Sequence, residues 1–234
     1  SNARPEICVG VMIVAACPGG PGSNLVVHLC KGDTALSVSL TALSSLVTGL
    51  TIPIVTQIAT SHFIGEASQL EPDILVEMGI KVCILTLPPV FLGMWIRTKN
   101  HHFANKAEKP VKVSAVIFLV ALVAGIAFKE RTNLLTLLQE AGILGCMLCV
   151  TTMMLGYSLA RGFRLNQSQS ISVMIEVGIQ NAALAFLITT TMLDNTAMAI
   201  PAAVYSPVML TTSGLLIAWF NRRSNGASRL IHSR

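Results

Sequence analysis

The sequence predicts an all-α, polytopic membrane bundle in which two helices are broken and cross, with the topology of an inverted repeat. Three observations carry that prediction. The 234-residue chain is 53% hydrophobic and 12% charged, with a mean hydropathy of +0.68, a balance foreign to water-soluble globular domains. Its apolar residues gather in stretches of 16 to 26 residues, and a bilayer core of about 30 Å takes about 20 residues of helix. Two of these stretches are interrupted, one by prolines and glycines, the other by a carboxylate and two amides.

Seven segments follow one another: Ile7–Cys30, Leu36–Ala59, Ile74–Ile96, Val113–Phe128, Leu134–Leu159, Ile171–Met192 and Met198–Phe220. None alternates polar and apolar residues as a barrel strand does, so helices are expected. The fourth is short and has to cross with little tilt. Ser1-Asn2-Ala3 reads as the remnant of a cleaved tag and is set aside (residues 1–3). The membrane region then covers 4–221, and a basic tail covers 222–234.

The net charge of +5 is spread over connectors and makes no nucleic-acid patch. Arg97, Lys99, Lys106, Lys109 and Lys112 lie between segments three and four, Arg161 and Arg164 between five and six, and Arg222, Arg223, Arg229 and Arg234 after seven. Lys31 joins the first two segments. The intervening connectors are acidic or mixed, with Glu66, Glu71 and Asp73, then Lys129, Glu130 and Arg131, then Asp194. Basic residues on every second connector place the C-terminus in the cytoplasm and the N-terminus outside. An integral protein of a bacterial-type inner or plasma membrane is expected. An outside start with no signal peptide implies an odd number of helices upstream of this sequence.

Six cysteines, Cys8, Cys17, Cys30, Cys83, Cys146 and Cys149, sit in or at the ends of apolar segments and read as small hydrophobes. Cys146 and Cys149 form a C-x-x-C without the strand–helix context of a redox motif. Gly142 and Gly145 read as close-approach positions between helices. His28 stands alone near the inner end of its segment and reads as an interfacial residue.

The first segment contains Ala16-Cys17-Pro18-Gly19-Gly20-Pro21-Gly22-Ser23-Asn24. Prolines and glycines at this density cannot continue a helix. Backbone freed at membrane depth is tolerated only where protein buries it or a polar cavity hydrates it, so a helix broken at a binding site is expected. The sixth segment carries Glu176, Gly178, Gln180 and Asn181 at its centre. A glutamate there costs roughly 2.5–3.5 kcal/mol on insertion scales, which marks it as functional, and Gly178 permits unwinding. The two segments run in opposite directions, each followed by a continuous helix. Between them, Ser37, Thr41, Ser44 and Thr48 recur at helical spacing as one polar stripe on the second segment. Hydroxyls, amides, freed carbonyls and one carboxylate make a hard, oxygen-only ligand set. Sodium fits it best, and a proton on Glu176 is the rival.

The stretches "ACPGGPGSNLVVHLCKGDTALSVSLTALSSL" and "EVGIQNAALA" resemble the bile acid:sodium symporter family, with segment order and spacing agreeing along the chain. The resemblance implies two five-helix inverted repeats forming a core and a panel. Here the core would comprise 4–60 and 134–221, the panel 74–128, and three helices would precede the sequence. It further implies Na+ (one or two ions) as the coupling ion. One site would be formed by Ser23, Asn24, Ser37, Thr41 and Glu176; a second by Glu176, Val177, Ile179 and Gln180, with Val177 and Ile179 giving backbone carbonyls. The second site in the family also takes a glutamine from an upstream helix. Asn181 matches a substrate-cavity position. Pro21 stands where a small hydroxyl residue can be found, and Leu210 and Thr211 stand where bile-acid-carrying members have a His-Asn pair. These departures leave the ligand open among bile-acid-like compounds and small carboxylates.

The function expected is sodium-coupled symport of an organic anion by alternating access across a lipid bilayer, with no nucleic-acid partner. Pro88-Pro89, Pro201 and Pro207 are candidate kinks or hinges. Alternatives are a proton-coupled or sodium-independent anion or metalloid transporter of related fold, and a non-transporting membrane binding protein. An enzyme is not expected, because no H-E-x-x-H, G-x-S-x-G or His/Asp cluster lies within the spans.

Overall fold

The computed structural model of the chain describes residues 4–20, 22–65, 70–100 and 134–232, with individual positions between 102 and 128. The expected segment Val113–Phe128 and Pro21 lie largely or wholly outside the described residues. What is described is α-helical, apart from one isolated β-bridge and one π-helical turn.

The first expected segment is two helices, α1 (Pro5–Ala16) and α2 (Ser23–Leu29). Pro5 suits the first turn of α1, where its missing N–H is no loss. Pro18 ends the helix by forcing Cys17 into extended backbone (φ −69°, ψ 152°). The chain turns at Lys31 (φ 60°) and enters α3 (Thr34–Phe63), capped by the Asp33 carboxylate, which accepts from the Leu36 N–H at 3.0 Å. Helix α4 (Pro72–Lys99) again begins with a proline and runs on through Pro88 and Pro89.

Helix α5 (Leu134–Gly162) ends at a turn with Arg164 at φ 61°. Asn166 then opens α6 (Gln167–Gly178) with a reciprocal capping box to Gln169. Three residues later Asn181 caps α7 (Ala182–Leu187), which continues into a π-helical turn, Ile188–Met192. The last helix, α8 (Thr196–His232), runs through Pro201 and Pro207 without a break.

Four helices among the described residues are long and apolar enough to cross a bilayer: Thr34–Phe63, Pro72–Lys99, Ala141–Gly162 and Thr196–Arg222. Their outward faces are what lipid requires. Leu50 is 74% exposed, Ile54 59% and Met154 65%, an arrangement that water would penalise and a hydrocarbon solvent does not. The chain is an integral membrane protein. The two broken spans are assembled from shorter pieces packed inside: Ile7, Val9 and Ile13 of α1, Ile175 of α6 and Ala185 of α7 are fully buried.

Small residues set the helix spacing. A Cβ added at Gly10 would lie 2.2 Å from the Met198 carbonyl oxygen, so α1 and α8 touch backbone to backbone. On the other flank, α3 and α4 meet at Gly49 and Gly79, where a Cβ on Gly79 would lie 2.9 Å from the Gly49 oxygen. Pro53 lacks the N–H that would otherwise hold that Gly49 carbonyl. Gly142 and Gly145, expected as close-approach positions, face α8 at ordinary packing distance instead: an added Cβ would sit 3.8 Å from Val204 and 3.7 Å from the Tyr205 ring, so neither position requires glycine. All six cysteines are free.

Candidate functional site

The two breaks meet. Gly19 and Gln180 form an antiparallel bridge, the Gly20 N–H donates to the Ile179 carbonyl at 2.7 Å, and the Asn181 N–H donates to the Pro18 carbonyl at 2.9 Å. Backbone groups that lost helical partners thus find each other across the crossing, which answers their desolvation at membrane depth. The approach demands glycine on the first segment. A Cβ at Gly19 would fall 2.0 Å from Glu176 Oε1, and one at Gly20 would fall 2.9 Å from the Gln180 carbonyl oxygen.

Glu176, in the last turn of α6, is 4% exposed. Three hydroxyls from two elements converge on its carboxylate. Ser23, in the first turn of α2, donates to Oε2 at 2.8 Å; Ser37, in the first turn of α3, donates to the same oxygen at 2.8 Å; Thr41, one turn further on, donates to Oε1. Asn24 joins through Oδ1, 2.7 Å from the Ser37 hydroxyl. Ser23, Asn24, Ser37, Thr41 and Glu176 therefore form one contiguous oxygen cluster. Among the described residues the carboxylate's partners include no lysine, arginine or histidine.

The second expected set lies along the break itself. The Val177 carbonyl accepts from the Gln180 side-chain amide at 2.8 Å, and the Ile179 carbonyl is the one taken by Gly20. Both oxygens keep a second lone pair. Asn181 is half-buried and accepts the Leu184 N–H at 3.1 Å as the cap of α7. Thr211 is exposed on α8 and donates to the Pro207 carbonyl at 2.8 Å; no contact joins it to the cluster. Leu210 is exposed beside it, and His28 is exposed at the end of α2.

The polar stripe on α3 differs in detail from the expected one. Ser45 is buried where Ser44 is half-buried, and both donate to the Thr41 carbonyl, at 2.7 and 3.1 Å. Thr48 is buried, and Thr56 and Thr60 extend the same stripe. Three features of the site have no counterpart in the expectations: the glycine requirement at Gly19 and Gly20, the hydroxyl of Tyr205 behind the break, and the Cys149 thiol beside it. Tyr205, fully buried on α8, donates to the Gly178 carbonyl at 2.7 Å, and Cys149 of α5 reaches the same oxygen at 3.6 Å. The signal for Tyr205 was a phenol in the middle of an apolar span, which needs a polar partner when buried.

A family model, the sodium bile acid symporter family, matches residues 1–137. The uncharacterized sodium-dependent transporter YocS of Bacillus subtilis is 31% identical over 92% of the chain and 61% of its own length. The probable sodium/metabolite cotransporter BASS1 of Arabidopsis thaliana, a chloroplastic protein, is 28% identical over 95% of the chain and 54% of its own length. The human ileal sodium/bile acid cotransporter is 30% identical over 77% of the chain and 51% of its own length. The chain thus spans about half to three-fifths of the curated relatives it matches. These relatives are transporters, not enzymes. With a helical membrane bundle whose broken spans meet at a buried carboxylate, and with the family model matching more than half of its length, the chain belongs to the sodium bile acid symporter family.

Proposed function

We propose that this chain carries the cation-coupling site of a symporter that moves an organic anion with Na+ by alternating access. One observation carries the reading: Glu176 is buried, its partners are hydroxyls, and no described cationic side chain compensates it. A buried, unpaired carboxylate is costly unless a cation or a proton joins it.

The surrounding oxygens favour a cation. Five short contacts, Ser23 to Glu176, Ser37 to Asn24 and to Glu176, and Thr41 to Glu176 and to the Ser37 carbonyl, are served by only three hydroxyl protons. Such a proton-poor set of neutral oxygens around one negative charge suits a monovalent hard ion; a divalent ion usually draws more carboxylates. Ser23, Asn24, Ser37, Thr41 and Glu176 would hold one Na+, each hydroxyl turning a lone pair toward it. Glu176, the Val177 and Ile179 carbonyls and Gln180 would hold a second. Two ions against one carboxylate leave a positive surplus beside the crossing, which attracts an organic anion near Asn181.

The coupling is reciprocal. An ion that fixes the break in the geometry the anion needs is itself bound more tightly when the anion is present. In this reading the core (4–60 and 134–221) rocks against the panel (74–128) around inverted broken helices, and the C-terminus faces the cytoplasm of a bacterial-type inner or plasma membrane. The names of the relatives, sodium/metabolite and sodium/bile acid cotransporters, support this substrate class.

The test is uptake of radiolabelled taurocholate, pyruvate and pantoate into vesicles carrying the protein, in Na+ against K+ buffer at fixed pH. Uptake that requires Na+ is expected for at least one anion. Uptake indifferent to Na+ but driven by a pH gradient would replace the cation with a proton on Glu176.

A further inference from the structure

The break between α6 and α7 leaves a run of peptide groups without helical partners, and their bonds divide between two sides. Toward the crossing, the Ile179 carbonyl meets the Gly20 N–H at 2.7 Å and the Asn181 N–H meets the Pro18 carbonyl at 2.9 Å. Behind the break stand α5 and α8. There the Tyr205 hydroxyl donates to the Gly178 carbonyl at 2.7 Å and the Cys149 thiol approaches the same oxygen at 3.6 Å, while the N–H of the same peptide, that of Ile179, keeps its helical bond to the Ile175 carbonyl at 2.8 Å. Tyr205 is 1% exposed and Gly178 is buried, so no solvent can replace the phenol. The backbone is also held closely here: a Cβ at Gly178 would lie 2.1 Å from Met153 Cγ on α5.

Peptide planarity turns these contacts into a direction. In a trans peptide the C=O and the N–H point opposite ways, and the Gly178 carbonyl shares its plane with the Ile179 N–H. With the N–H on Ile175 and the carbonyl on the phenol, this plane is held at both ends. The chain leaves the helix at the next rotation, at Ile179 (φ −110°, ψ 86°), whose carbonyl meets Gly20 at the crossing. The last plane before the break is thus set in part by one side chain from a helix that contributes nothing else to the oxygen cluster.

We propose that Tyr205 is a positioning residue for the cation site, its hydroxyl holding from behind the peptide at which the chain turns to present the Ile179 carbonyl to the bound ion. The proposal rests on the sodium reading given above. It touches no ion itself, and it makes α8 part of the coupling machinery: a displacement of α8 that loosens this contact loosens the cation site.

Thermal unfolding of the purified chain in detergent, titrated with NaCl at constant total NaCl plus KCl, tests it through Tyr205→Phe, which keeps the ring and its packing. The expected result is a half-saturating Na+ concentration raised about fivefold or more, the size of one lost hydrogen bond, with only a small change of melting temperature in KCl alone. Tyr205→Phe with unchanged half-saturation, whatever its melting temperature, overturns the positioning role and leaves the sodium site standing. A wild-type chain that Na+ stabilises no more than K+ overturns both. Cys149→Ala gives a second measure should Tyr205→Phe fail to fold: it removes the weaker contact to the same carbonyl, a rise of about twofold is expected, and no rise counts against the proposal.

Discussion

The two breaks in this molecule are made by different means. The one between α1 and α2 is built into covalent chemistry: Pro18 has no N–H to donate, and glycines follow it. It persists in any environment. The break between α6 and α7 contains no proline, and Ile179, Gln180 and Asn181 are all residues that a helix accepts. Ile179 nonetheless leaves helical backbone (φ −110°, ψ 86°). It is held there by Gly20, by Pro18 through Asn181, and by Tyr205 from behind. The first break is thus a fixed template and the second a conditional one. The conditional break carries Glu176, which places the ionisable group on the segment whose geometry depends on its partners.

Substitutions in the template segment give the largest expected effects. Gly20→Ala puts a methyl 2.9 Å from the Gln180 carbonyl oxygen, a backbone atom that cannot step aside. It should part the two segments and destabilise the protein by on the order of 3 kcal/mol, read as a lowered melting temperature in detergent. Gly19→Ala sharpens the comparison, because its methyl meets the Glu176 carboxylate, the movable end of a side chain. The carboxylate should leave its hydroxyls, so that the response to Na+ is lost with much less loss of melting temperature. Equal melting losses for the two glycines would contradict a distinction between backbone and site.

Smaller effects follow along the hydroxyl set and the conditional break. Thr41→Ala should raise the Na+ concentration for half-maximal uptake by about tenfold, as for loss of one hydrogen bond to a charged group. Thr86→Ala should leave it unchanged, since that hydroxyl is spent on the Val82 carbonyl of its own helix at 2.8 Å. Asn181→Ala removes the cap of α7 and should cost about 1 kcal/mol, roughly 2–4 °C in melting temperature for a chain of this size. An unchanged melting temperature would mean that the second break does not depend on its cap.

Much of this was legible in the sequence, and for a physical reason. Prolines, glycines and a carboxylate are costly in a bilayer, so their presence in apolar segments marks the breaks and Glu176 before any coordinates. Ser23, Asn24, Ser37 and Thr41 were legible through their place beside those breaks. Less legible was whatever depends on which residue comes opposite. Period 3.6 does not decide between Ser44 and Ser45, and only packing against neighbouring helices selects Ser45 for burial. The need for glycine at 19 comes from a side chain on another helix. Thr211 lies on a helix apolar around most of its circumference, where periodicity gives no facing direction. The π-helical turn over Ile188–Met192 has no sequence signature beyond its threonines. Tyr205 had a signal, a phenol at membrane depth, whose partner only the fold supplies.

The most direct test of the account is the Na+ dependence of Glu176→Gln, measured as uptake in Na+ against K+ vesicles with membrane insertion checked in the same preparation. The amide fills the same volume and can still bond to Ser23, Ser37 and Thr41, but it carries no charge to bind a cation. The account predicts a protein that stays in the membrane and loses its sodium stimulation altogether. Sodium stimulation equal to wild type in that variant would contradict it, and would move the coupling ion away from the crossing of the two broken helices.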